Sequence, residues 1–84
     1  MAQLEQAILI TGAGQRVGLH LAQQFLAQGK YPLLITYRTW RPAIDELVAQ
    51  GARAYQVDFN DSLQLEDFIE RIINEVQSLR AVIH

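Results

Sequence analysis

The 84-residue sequence contains no cysteine. That excludes a disulfide framework and any thiolate metal site. The two histidines, His20 and His84, lie far apart and in no metal-ligand spacing. Charged residues are scarce, at 19%, and nine acids against seven bases leave a net charge of −2. A nucleic-acid binder normally carries a basic surplus, so the balance argues against phosphate-backbone binding. No apolar run approaches the roughly 20 residues of a membrane span. The stretch Met1-Ala2-Gln3-Leu4-Glu5-Gln6 lacks the basic start of a secretory signal. Half of the residues are hydrophobic, too many for a disordered tail. The composition predicts one soluble, cytoplasmic globular unit.

The hydrophobic period changes repeatedly along the chain, and that alternation is the main structural signal. Ala7-Ile8-Leu9-Ile10-Thr11 is a short, continuous apolar run ending at glycine, which reads as a parallel strand buried on both faces. A helical period follows from Val17 to Gln28, with Val17, Leu21, Ala22, Phe25 and Leu26 on one face and Gly29 as its stop. Pro32 to Tyr37 reads as a second strand. Pro42 opens a short helix that turns Ile44, Leu47 and Val48 inward and ends at Gly51. Ala54-Tyr55-Gln56-Val57 reads as a third, weaker strand. Asp61 caps a third helix over residues 62–77, with Gln64 completing a partial capping box. Its inward stripe is Leu65, Phe68, Ile69, Ile72, Ile73 and Val76. Residues 79–84 read as a fourth strand. The order β-α-β-α-β-α-β predicts a three-layer, Rossmann-like α/β fold with a parallel sheet of strand order 3-2-1-4. No linker, low-complexity tract or charge run divides residues 1–84.

Chemistry enters at the first strand-to-helix turn, Thr11-Gly12-Ala13-Gly14-Gln15-Arg16-Val17-Gly18. A backbone that turns sharply, approaches a phosphate and then packs a helix on the sheet needs residues without a Cβ. Exposed N–H groups and the positive end of the helix dipole attract a pyrophosphate there. The usual dinucleotide pattern, G-x-G-x-x-G, would place a third glycine at position 17, which is valine. The pattern present is T-G-x-x-x-R-x-G. The competing reading is a tight turn that binds nothing.

After the second strand, an NAD site would carry an acidic residue about 20 positions beyond the glycines. This sequence has Thr36-Tyr37-Arg38-Thr39 instead. A guanidinium grips phosphate with two parallel hydrogen bonds, so Arg38 favours NADP. Alternatively, Arg38 and Arg41 only solvate a loop. Trp40 in that loop reads as a half-buried hydrophobic anchor. Asp58, closing the third strand, either accepts from an adenine amino group or forms a turn and helix cap. Spacing does not separate the two.

These residues together resemble the N-terminal part of the short-chain dehydrogenases/reductases, over nearly the whole chain. Arg16 within T-G-x-x-x-R-x-G, Tyr37-Arg38-Thr39 with Pro42-Ala43-Ile44-Asp45, Asp58-Phe59 and Leu79-Arg80-Ala81 point to the pteridine-reductase branch. The resemblance implies an NADPH-dependent enzyme that reduces a dihydropterin such as dihydromonapterin, with some dihydrofolate reduction, usually as a homotetramer. It implies that Gly12, Gly14, Gln15, Arg16, Val17 and Gly18 surround the pyrophosphate, with Arg16 reaching towards the pterin. Tyr37, Arg38 and Thr39 would hold the 2′-phosphate, and Asp58 and Phe59 would flank the adenine. His84 would occupy the first position of the family's Asn-Asn-Ala-Gly-like motif.

The family's chemistry uses a Tyr-x-x-x-Lys pair, and this sequence has none. Its single lysine, Lys30, has no tyrosine four positions before it. Tyr37-x-x-x-Arg41 has the spacing only, and arginine does not replace the compact ammonium. No catalytic residue is therefore assigned. The expectation is an NADP-binding N-terminal part of a longer reductase, whose fourth strand would be an exposed apolar edge prone to self-association. Two other readings remain at this point. One is another NADP-dependent short-chain reductase acting on a ketone or acyl substrate, and the other a non-catalytic nucleotide-binding module.

Overall fold

The computed structural model describes residues 4–12 and 16–83. Seven elements follow one another: β1 (Ala7–Ile10), α1 (Arg16–Gln28), β2 (Leu33–Tyr37), α2 (Pro42–Ala49), β3 (Arg53–Gln56), α3 (Ser62–Glu75) and β4 (Leu79–Ile83). The strands form one parallel sheet in the order β3-β2-β1-β4. This is the predicted α/β architecture and strand order. All four residues of β1 are buried, as the unbroken apolar run required.

The alternation of side chains along the strands divides the core in two. Ile8, Ile10, Leu33 and Ile35 face α1 and α2, where Ala22, Ile44 and Leu47 meet them. Ala7, Leu9 and Leu34 face the opposite side, where Tyr55, Val57, Phe68 and Val76 complete a second cluster. Phe68 anchors α3 there. Its ring packs edge-on to Tyr55 at 5.6 Å and tilted against Phe59 at 6.0 Å. Burying one such ring contributes about 2–3 kcal/mol.

Local chemistry sets the helix boundaries. Gly29 takes a left-handed φ of +64° immediately after α1, a conformation costly for residues with a Cβ. Pro42 occupies the first turn of α2, whose N-cap Arg41 makes no side-chain cap. At α3, Asp61 Oδ1 accepts from the N–H groups of Leu63 at 3.0 Å and Gln64 at 3.3 Å. The expected capping box is modified: Gln64 Oε1 accepts from the Asp58 N–H at 2.9 Å, while its amide donates to Asp61 Oδ2 at 3.1 Å.

Several expectations are corrected. α3 ends at Glu75, two residues before the predicted Gln77, because Val76 turns extended and pairs with Leu4. The Gln77 N–H donates to the Leu4 carbonyl at 2.7 Å. Ile69 and Ile73 of the predicted inward stripe are exposed, Ile73 at 65%. Among the described helices, α3 is the one that packs on this face, and it does so through Phe68, flanked by Ile72. Val48 is also exposed, since α2 seats itself through Ile44 and Leu47. Val17 is 73% exposed at the start of α1 instead of facing the core. Trp40 is 53% exposed, and its indole N–H donates to Asp45 Oδ1 at 3.3 Å.

Candidate cofactor site at the carboxyl end of the sheet

β1 is central: the connection leaving it runs through α1 to β2 on one side, whereas β4 on its other side is reached from β3 through α3. Such a switch point opens a crevice beyond the strand ends. The turn after β1 enters that crevice and is fastened on both sides. On one side, the Thr11 N–H donates to the Ile83 carbonyl at 2.9 Å, and the Thr11 hydroxyl donates to the same oxygen at 3.3 Å. On the other, the Gly12 N–H donates to Thr36 Oγ1 at 3.3 Å. Gly12 itself has φ +71°, in the left-handed region, and a Cβ built there would meet no atom within 4 Å. Glycine is thus required by backbone conformation, and the space beside it is open.

Two adjoining clefts flank this turn. The larger, of about 400 Å³, has Thr11 and Gly12 at its floor, Arg16, Val17 and Gly18 from the first turn of α1, and apolar walls of Ile10, Leu21 and Ile83. The smaller, of about 260 Å³, lies between the ends of β2 and β3 and is lined by Thr36, Tyr37, Arg38, Val57, Asp58 and Asn60. Gly12 and Phe59 line both, so the clefts form one crevice.

The structure thereby brings together Gly12, Arg16, Val17, Gly18, Tyr37, Arg38, Asp58 and Phe59. Thr39 is exposed on the β2–α2 loop and lines neither cleft. Gly14, Gln15 and His84 lie outside the described residues. Thr36 is the principal omission from the sequence-based set. It is the buried polar residue of β2, 1% exposed, and its hydroxyl receives the glycine turn. A lone hydroxyl ending the apolar run Leu33-Leu34-Ile35 was its only signal in the sequence. Asn60 gave still less warning.

Asp58 performs a turn role while lining the crevice. Its Oδ1 accepts from the Asn60 N–H at 2.9 Å, and its carbonyl accepts from the Asp61 N–H at 2.9 Å. The Asx turn sets the Asp58-Phe59-Asn60 segment along the smaller cleft, with Phe59 leaning on Phe68. Both meanings that spacing left open for Asp58 thus remain compatible with one geometry.

The donor set suits an anion with an apolar appendage. Arg16 and Arg38 bring positive charge, and the first turn of α1 contains no acidic residue to compete with an anion at the dipole's positive end. Among the described residues, Arg38 is in no ion pair with a carboxylate. Among the described residues, no cluster of three or more His, Cys, Asp or Glu side chains could hold a metal ion. The chemistry of these groups is compatible with a phosphate-bearing nucleotide.

Comparison with known proteins agrees with the geometry. The sequence model of the short chain dehydrogenase family matches residues 6–84. Dihydromonapterin reductase of Escherichia coli O1:K1 / APEC is 43% identical over 77 residues, covering 92% of this chain and 32% of that protein. The protein of the same name from the SECEC strain of E. coli is 44% identical over the same coverage. That of Shigella boydii serotype 4 is 43% identical, also over 92% of this chain and 32% of its own length. The chain therefore spans about a third of the curated relatives it matches. Its glycine turn, its sheet order and the extent of the match make it a member of the short-chain dehydrogenase family.

Proposed function

We propose that the chain is the cofactor-binding part of an NADPH-dependent oxidoreductase that reduces a dihydropterin, dihydromonapterin foremost and dihydrofolate secondarily, to its tetrahydro form. The observation that carries the cofactor choice is Arg38. It lies on the smaller cleft at the end of β2, where a carboxylate would select NAD. The pterin assignment is supported by the relatives' names and the identity to them.

In this reading Gly12, Gly14, Gln15, Arg16, Val17 and Gly18 hold the pyrophosphate through N–H groups and charge. Tyr37, Arg38 and Thr39 hold the 2′-phosphate. Asp58 and Phe59 bound the adenine, and Thr36 keeps the glycine turn in place. The bound nicotinamide supplies the hydride, while the residues of this chain bind, orient and exclude water. We further place the protein in the cytoplasm as a homotetramer. No helix among the described residues is long and apolar enough to cross a membrane.

The test is a spectrophotometric assay on the full-length protein with NADPH or NADH and dihydromonapterin, dihydrofolate or a small ketone. Pterin-dependent oxidation of NADPH, much faster than that of NADH, is the expected result. Turnover of the ketone alone would shift the assignment to another short-chain reductase. Cofactor binding without turnover of any substrate would favour a nucleotide-binding module.

A further inference from the structure

We infer that Gln56 is a positioning residue for cofactor selectivity, acting on the loop that carries Arg38. This rests on the reading of Arg38 as the 2′-phosphate group's partner. Gln56 ends β3 and stands in register with Tyr37, the last residue of β2. The backbone pairing of the two strands closes one step later, where the Val57 N–H donates to the Tyr37 carbonyl at 3.0 Å. Beyond that point no strand among the described residues holds the β2–α2 loop. Its first peptide is held instead by a side chain: Gln56 Nε2 donates to the Arg38 carbonyl at 3.3 Å. The far end of the loop is tied down by the indole N–H of Trp40 on Asp45 Oδ1 and by the Ile44 N–H on the Arg41 carbonyl at 2.9 Å.

The four residues between β2 and α2 are thus clamped at both ends, with the Arg38 side chain leaving from the clamped peptide. Gln56 is exposed and belongs to neither core cluster, so core packing does not account for its amide. Fixing the main chain of Arg38 lowers the ordering cost of bringing its guanidinium onto a phosphate. NAD has no 2′-phosphate and gains nothing from that order. The selectivity between the two cofactors is a difference of affinities, so a residue that acts on one alone changes the ratio.

The experiment measures dissociation constants of NADP and NAD by calorimetric titration of the full-length protein, for wild type, Gln56→Met and Arg38→Ala. Gln56→Met keeps length and removes both donors. One hydrogen bond's worth of order predicts a loss of NADP affinity of about three- to tenfold. NAD affinity and the melting temperature should stay at the wild-type values, and Arg38→Ala should abolish the preference for NADP. An unchanged NADP/NAD ratio in Gln56→Met, beside a collapsed ratio in Arg38→Ala, overturns the role of Gln56 and leaves the cofactor assignment standing. Equal weakening of both cofactors by Gln56→Met also overturns it, since that marks a general structural role. An unchanged ratio in Arg38→Ala refutes the Arg38 reading itself. Should Gln56→Met fail to fold, Gln56→Leu repeats the measurement with a neutral side chain that has no donors.

Discussion

Replacing Thr36 by valine tests whether the glycine turn is held by β2. The substitution keeps the branched shape of a side chain that is 1% exposed and deletes the oxygen accepting the Gly12 N–H at 3.3 Å. An orphaned N–H in a dry interior would cost up to about 3 kcal/mol. Gly12 is exposed, so water can replace part of the lost bond. The bond is also long for an N–H···O contact. Both considerations place the effect near 1 kcal/mol, or about a fivefold change in an opening equilibrium. Amide hydrogen exchange by NMR reads that quantity directly at Gly12. The valine variant should exchange about five times faster there, while amides within β1 and β2 keep their protection. Cofactor affinity should fall alongside, and Thr36→Ser, which retains the oxygen, should restore both. Wild-type protection at Gly12 and unchanged cofactor affinity in the valine variant would refute the argument that Thr36 braces the turn.

Two further outcomes concern the opposite face of the sheet. Phe68→Ala should destabilise the protein by about 3–5 kcal/mol in urea unfolding, because it empties the anchor of α3, whereas Ile73→Ala should stay within about 0.5 kcal/mol. A comparable loss at both positions would mean that Ile73 is packed, contrary to its 65% exposure. Tyr55 contributes to the pH dependence at the alkaline end: burial first, then the Glu75 carboxylate, raises the pKa of its phenol above the ordinary value, partly offset by Arg53. A raised folded-state pKa gives a stability contribution that is complete below the unfolded value of about 10 and disappears as pH rises through the folded one. Tyr55→Phe should therefore flatten the loss of melting temperature at alkaline pH. At neutral pH it should change little, because the buried Tyr55 hydroxyl makes no hydrogen bond of good geometry among the described residues.

The sheet and the outline of the crevice were legible because they rest on local patterns. The run from Ala7 to Ile10 admits only a buried strand before the glycine turn, and Pro42 and Asp61 mark helix starts by their own chemistry. Gly12 was legible because few residue types serve a left-handed turn, and the position of Arg38 because it directly follows the second apolar run. What escaped depends on residues distant in sequence. The end of α3 is decided by Leu4, which draws Val76 into an extended pair. The Gln64 side chain reaches back to Asp58 instead of closing the usual box, because the Asx turn brings that N–H within reach. The exposure of Ile69, Ile73 and Val48 follows from how many neighbours each helix has, which periodicity does not count. Thr36 had the same weakness: a hydroxyl at a strand end means little until the facing turn is known.

The fastening of Thr11 to Ile83 bears on the order in which the molecule assembles. The two residues are 72 positions apart, and both bonds from Thr11 end on the same carbonyl oxygen. Closing so long a loop carries an entropic cost that nearby contacts avoid. The β1–α1–β2 unit can form early from neighbouring segments, but the turn between its first two elements stays fastened on one side only until β4 docks. During synthesis, the turn after β1 waits for the 72 positions that separate Thr11 from Ile83 before its second fastening can form. A ligand held by this turn would therefore favour the docked form of β4, a strand whose contact with the turn spans 72 positions of sequence.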